Sequence, residues 1–140
     1  MSIDGKIYKA SEHVLYNGIM INDVPNFAFS IGYFSGYGAS WTRKADIAGL
    51  YFTKLINYMK NEQVTKMVPR IDPNLGLNLK AFDGGLTSGY WTRSANFLPK
   101  QGDKYPWNGG INYFEDLINL RKFNTDCLEL TYAKKDKKSS

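Results

Sequence analysis

The sequence predicts an α/β fold of a few short strands and about three helices, and three observations carry that prediction. Phe27-Ala28-Phe29-Ser30-Ile31 is a short, nearly continuous apolar run of the kind found in parallel strands buried on both faces. Apolar residues then recur at spacings of three and four from Trp41 to Met59, which is the period of a helix. Clusters rich in Gly, Pro, Asn and Asp separate these segments from the apolar stretches before and after them.

Taken in order, Ile3–Tyr8 reads as a hairpin with Asp4-Gly5 at its turn. Val14–Ile21 is apolar and reads as one strand that tolerates Gly18. The cluster Asn22–Asn26 is a turn, and the apolar run 27–31 follows as a buried strand that stops at Gly32-Tyr33. After a loop over 34–39, Ser40 is placed to cap a helix. One face of that helix carries Trp41, Ala45, Ala48, Phe52, Leu55 and Met59; Ile47, Leu50, Tyr51 and Ile56 widen it, and the helix should end near Asn61. Gln63–Val68 reads as a short strand limited by Pro69. Residues 72–85 read as loop, 87–98 as a second helix ended by Pro99, and 100–110 as loop again. A third helix over 112–121 places Tyr113, Leu117 and Leu120 on one face, and alternating Leu128–Tyr132 reads as an edge strand. Three or four strands and three helices close a core poorly, so the unit Phe27–Met59 reads as the last part of a larger sheet.

Composition narrows the classes. The chain has 140 residues, 43% hydrophobic and 22% charged, which is ordinary for a globular domain. Aromatics reach 15%, enough to require a large core, a partner surface or a flat ligand. Of the net charge of +5, the stretch Lys134–Ser140 supplies +3 from four Lys and one Asp, and it reads as a disordered basic tail. No basic stripe runs through the body, which argues against nucleic acid as a partner. No stretch approaches the roughly 18 apolar residues of a membrane span. Cys127 is the one cysteine, so no internal disulfide forms, and the composition suits the cytoplasm.

The principal chemical signal is the loop Gly32–Ser40 between the strand and the helix. It lies at the carboxyl end of a strand, where open α/β sheets bind cofactors. The helix start offers N–H groups and partial positive charge, and Arg43 and Lys44 add to it. An electron-rich group, such as the pyrimidine edge of a flavin, relieves that conflict; the alternative is that both side chains point to solvent. Gly36-Tyr37-Gly38 lacks the third glycine of a dinucleotide fingerprint. His13 is the single histidine, Cys127 reads as a small buried hydrophobe, and Ser35, Ser40 and Ser88 form no nucleophile elbow. Asp46 and Asp116 read as solvated or capping charges, and Trp91 and Trp107 as packing residues. A standalone module whose aromatics stack on carbohydrate or single-stranded nucleic acid is the alternative class.

Several segments occur together in a characteristic order: Tyr16-Asn17-Gly18-Ile19-Met20, Val24-Pro25-Asn26-Phe27-Ala28-Phe29, Gly32-Tyr33, and Ala39-Ser40-Trp41-Thr42-Arg43-Lys44-Ala45-Asp46. Downstream come Ser88-Gly89-Tyr90, Arg93, Leu98-Pro99-Lys100-Gln101-Gly102, Pro106-Trp107, and Tyr113 with Asp116. The series, over about residues 3–132, resembles the C-terminal region of class B, Baeyer–Villiger-type FAD-containing monooxygenases, closest to the ethionamide-activating branch. The resemblance implies the C-terminal fragment of an FAD/NAD(P)-binding flavoprotein fold with two dinucleotide-binding domains. It implies FAD and NADPH as cofactors, held mainly by an N-terminal region, and oxygenation of a small-molecule ketone, sulfur or nitrogen centre. Gly32, Tyr33, Trp41, Thr42 and Lys44 become flavin-side contacts. Residues 1–70 become the end of the FAD-binding domain and 71–133 an extension packed on it. The loop Gly32–Ser40 is longer than the family pattern. The isolated chain is expected to be inactive without the rest of the protein or a partner subunit.

Overall fold

The computed structural model describes residues 2–30, 40–82, 89–109 and 112–134. Among them the architecture is α/β, with eight short strands and three helices. Strands β1 (Ser2–Ile3) and β2 (Lys6–Ile7) form the expected antiparallel hairpin, with Asp4 and Gly5 both at positive φ in its turn.

The stretch 14–21 is not one strand. Leu15–Tyr16 (β3) and Met20–Ile21 (β4) pair antiparallel around Asn17-Gly18, whose φ values are 51° and 70°. Asn17 and Gly18 are the central residues of a β-turn closed by the Ile19 N–H donating to the Tyr16 carbonyl, and with Ile19 they make a three-residue connection between the paired Tyr16 and Met20. The hairpin is buried on both faces. Leu15 and Ile21 lie opposite each other and join Tyr8, Val24 and Phe82 in one apolar cluster. Tyr16 and Met20 share the other face and enter a second cluster with Ile47, Tyr51, Met67, Trp107 and Leu120. Alongside these two clusters, large apolar side chains such as Leu50, Ile56, Phe97 and Phe114 stay exposed among the described residues.

A buried turn leaves polar groups that require partners. The Asn17 N–H donates to the Pro106 carbonyl at 2.7 Å. Below the strands, the Val14 N–H donates to Asn22 Oδ1 at 2.6 Å, and the Asn22 N–H returns to the Val14 carbonyl at 3.0 Å. Gly109 lies so close that a Cβ there would stand 2.6 Å from Asn17 Cα and carbonyl carbon. The Gln101 amide donates to the Asn108 and Gly109 carbonyls and fixes that approach. Trp107 meets Tyr16 edge-on at 5.4 Å between ring centroids, as a packing residue.

Residues 27–29 are not a buried parallel strand. They are irregular, half-buried at Phe27 and Phe29 and exposed at Ala28, and they belong to none of the sheets; Ile31 lies outside the described residues. Helix α1 (Trp41–Asn61) matches its expected bounds, but its buried side is Lys44, Ile47, Ala48, Tyr51 and Leu55. Trp41, Leu50 and Ile56 are exposed. With apolar residues on most of its circumference, α1 is oriented by what it packs against: β5 (Val64–Pro69) and α3 (Tyr113–Lys122).

Strand β5 pairs antiparallel with β8 (Leu128–Tyr132) on one edge. Asn26, a turn residue at φ 49°, brackets Met67: its N–H donates to the Met67 carbonyl, and its Oδ1 accepts from the Met67 N–H, both at 2.9 Å. The region expected as loop over 72–85 contains a 3-10 turn at Pro73–Leu75 and β6 (Lys80–Ala81), which pairs with β7 (Lys100–Gln101). The second helix, α2 (Gly89–Ser94), is shorter than expected, because the chain turns at Ala95–Phe97 before Pro99. Asn112 caps α3 by accepting from the Phe114 N–H at 3.0 Å. At the far end of α3 the Lys54 ammonium, from α1, donates to the Arg121 carbonyl at 2.5 Å.

Two outcomes follow from this core. Gly109→Ala drives a methyl into the Asn17 backbone, which has no flexible end to yield, so urea unfolding should show a loss of about 1–3 kcal/mol. Burial raises the Tyr51 phenol to about 12 and raises Tyr16 and Tyr105 as well. Raised folded values mean stability that is whole below the unfolded tyrosine value of 10.0 and drains as pH climbs through the folded values. An alkaline titration followed by tyrosinate absorbance should therefore show a late group that ionises together with loss of circular dichroism.

Candidate functional site

The site is the start of α1. Ser40 has extended backbone, and its Oγ accepts from the Arg43 N–H at 3.5 Å and lies 2.8 Å from Thr42 Oγ1. The N–H groups of Trp41 and Thr42 are among those a helix leaves without an intrahelical acceptor. No acidic residue stands in the first turn. The helix dipole, Arg43 and Lys44 therefore all contribute positive potential there.

The cations differ in placement. Arg43 is exposed, whereas Lys44 is 2% exposed. Lys44 falls on the stripe that continues as Ile47, Ala48, Tyr51 and Leu55, so the helix period carries it inward. Its Nζ lies 5.7 Å from the Trp41 ring centroid, within cation–π range. Burial lowers the Lys44 ammonium from its ordinary value, and the Asp116 carboxylate works in the opposite direction. Asp116 is thus not a solvated charge: it is buried on α3 and faces the first turn of α1 electrostatically.

Trp41, Thr42 and Lys44 are gathered in one turn, with the indole 48% exposed above the buried ammonium. Gly32 and Tyr33 lie outside the described residues, as does the loop over 31–39. An acid-free helix start with a flat aromatic, a hydroxyl and two cations fits the electron-rich edge of a flat ring such as a flavin. Asp116 escaped the sequence reading because only the packing of α1 on α3 pairs it with Lys44. The aromatic-platform alternative loses much of its surface, since Tyr16, Tyr51, Phe82 and Trp107 are each at most 1% exposed.

Other chemistry is sparse. His13 is buried against Tyr8, with ring centroids 5.6 Å apart. Cys127 is a free, half-buried thiol, raised by burial and so poorly nucleophilic. Among the described residues no group of three or more His, Cys, Asp or Glu is placed to hold a metal ion, and no helix is long and apolar enough to cross a membrane. A second feature, unforeseen in the sequence, is an apolar cleft of about 520 Å3 between residues 26–30 and α1.

Comparison with known proteins gives an independent indication of kind. The chain is 43% identical over 130 residues to the probable FAD-binding monooxygenase AlmA of an Acinetobacter species, covering 91% of the chain and 25% of that protein. It is 38% identical over 114 residues to the putative FAD-containing monooxygenase MymA of Mycobacterium tuberculosis, covering 81% of the chain and 22% of the relative. It is 35% identical over 135 residues to the FAD-containing monooxygenase EthA of the same species, covering 96% of the chain and 26% of the relative. No family model matches the chain, and no solved structure matches it. The chain spans about a quarter of the length of the curated relatives it matches. By sequence, then, its homologues are FAD-binding or FAD-containing monooxygenases, and the chain fits a C-terminal piece of their EthA-like branch.

Proposed function

We propose that the chain serves a flavin-dependent monooxygenase that uses FAD, NADPH and O2 to oxygenate a small molecule, at a ketone in the Baeyer–Villiger manner or at a sulfur or nitrogen centre. The observation that carries this reading is the similarity to FAD-containing monooxygenases over nearly the whole chain. The acid-free start of α1 supports it. FAD, when bound, supplies the electron transfer and the oxygen activation.

The chain's own residues bind and orient. The N–H groups at the start of α1, with Thr42, hold the pyrimidine edge of the flavin, and Trp41 walls it from water. Gly32 and Tyr33, outside the described residues, are the other flavin-side contacts of this reading. Lys44 acts from beneath, as a buried positive charge that favours electron density at that edge. The adenosine ends of FAD and NADPH are held elsewhere in the enzyme. Residues 1–70 belong to its FAD-binding domain and 71–133 to an extension on that domain. The chain by itself is inactive, and the assembled enzyme works in the cytoplasm.

A chimera tests the reading. The matching quarter of the Acinetobacter AlmA protein is replaced by this chain, and the product is examined for bound flavin and O2-dependent NADPH oxidation. Both should be present, and the chain alone should show neither. Thr42→Val in the chimera should slow flavin reduction by about tenfold, as the loss of one polar contact to a charged edge implies. A chimera that folds yet binds no flavin overturns the proposal. Asp116→Asn, made in the chain itself, should lower the NMR titration of the Lys44 ammonium further. It should also destabilise the fold at neutral pH by about 1–3 kcal/mol, since it strands a buried charge. The sign is fixed by the depressed Lys44 value: the unfolded state binds more protons below the ordinary value of 10.5, so the deficit shrinks as pH rises toward it.

A further inference from the structure

We propose that the side chains of Tyr16, Asn17 and Tyr51 form a binding site for one internal water molecule, between the β3–β4 turn and α1. The site is separate from the start of α1, and the flavin reading makes no use of it.

Among the described residues, four buried side-chain polar atoms have no hydrogen-bond partner: His13 Nδ1, Asn17 Nδ2, Tyr51 Oη and Trp107 Nε1. Burying a polar group unpaired is costly, and native folds pair nearly all of them with protein or with ordered water. Three of the four belong to neighbours of Tyr16. Asn17 follows it in the chain, Trp107 meets its ring edge-on at 5.4 Å, and the Tyr51 phenol acts on the Tyr16 phenol. His13 lies apart, against Tyr8.

The three residues of the site are sealed and close together. Tyr16, Asn17 and Tyr51 are 0%, 3% and 1% exposed. Burial is the main cause of the raised Tyr51 phenol, and the Tyr16 and Asn17 side chains are near enough to modify it. Yet neither Asn17 Nδ2 nor Tyr51 Oη has a direct hydrogen bond. Polar groups that are near but unjoined are the setting of a bridging water.

The chemistry of the three groups matches one water. Asn17 Nδ2 can only donate. The Tyr16 hydroxyl gives its proton to the Asp126 carbonyl at 3.1 Å and keeps a lone pair to accept with. The Tyr51 hydroxyl can do either. A donor, an acceptor and a group that serves as both meet the roughly three hydrogen bonds of a buried water. That water links the β3–β4 turn to α1 and, through the Tyr16 hydroxyl, to the segment before β8. Tyr105 acts on the Asn17 side chain and is 40% exposed, so it marks the side from which water enters.

The test uses NMR of the full chain, reading cross-relaxation between water and the Asn17 side-chain amide protons, with hydrogen exchange separated in the rotating frame. A contact of the sign given by a long-lived, bound water is expected there. Tyr51→Phe keeps the ring and removes the hydroxyl, and should weaken the contact about threefold or more. Tyr58→Phe, on the same helix but packed against Phe123, should change it less than about 1.5-fold. Circular dichroism checks that each variant is folded, and the wild-type contact is a test by itself if Tyr51→Phe unfolds. No bound-water contact at the Asn17 amide of the folded chain overturns the proposal. So does an unchanged contact in folded Tyr51→Phe, or a crystal structure in which Asn17 Nδ2 and Tyr51 Oη bond directly to protein acceptors. Each of these outcomes leaves the monooxygenase reading to its own test.

Discussion

The β3–β4 hairpin is buried on both faces, turn included, and most of the remaining structure answers to that burial. A strand pair two residues long cannot stand alone in water. Here it survives because each face belongs to a different apolar cluster and because its backbone groups are met from outside the hairpin. Asn22 closes its open end, the Pro106 carbonyl accepts at its turn, and Gly109 has no side chain to keep the Gln101–Gly109 segment away. A segment distant in sequence is thereby pinned to the N-terminal third, and β7 reaches the hairpin's first strand through the Lys100 N–H and the His13 carbonyl.

The same constraint sets the rotation of α1 about its axis. Tyr16 and Met20 offer an apolar face, and the helix turns Ile47, Ala48, Tyr51 and Leu55 toward it. Once that stripe is fixed, the period of the helix carries position 44 inward, although it holds a lysine. A buried ammonium is expensive unless a counter-charge accompanies it, and Asp116 on α3 supplies one. Local rules broken at a helix start, with a compensating carboxylate placed behind, mark the kind of position where function overrides stability. The core thus determines which face of the first turn looks outward: Trp41, Thr42 and Arg43.

Features encoded by neighbouring residues were legible in the sequence. Ser40 and Asn112 cap helices because their side chains reach N–H groups two or three residues on. The Asp4-Gly5 turn, the bounds of α1 and the strands β5 and β8 follow equally local signals. What escaped depends on partners. The Asn17-Gly18 turn carried its signal, but an apolar stretch on both sides disguised two short strands as one. The stripe on α1 was misjudged because apolar residues surround the helix, and only packing selects among them. The extent of α2 was overestimated for want of anything local to stop it before Pro99. At the candidate site, the first turn of α1 was readable from Ser40 onward, whereas the buried Lys44 and its Asp116 neighbour exist only once α1 meets α3.

The apolar run at 27–31 shows where sequence and structure differ for a productive reason. Its composition anticipates cover on two faces, and among the described residues Phe27 and Phe29 are half-buried while Ala28 and Ser30 are exposed. Asn26 secures the inner side to β5, and the outer side meets a cleft walled by Phe52, Ile56 and Met59. A free-standing domain of this size would place polar residues at Ile56 and Ala28, since nothing in its own fold rewards apolar ones there. The cleft and the acid-free start of α1 lie on one helix, so the packing that sets the rotation of α1 fixes both at once.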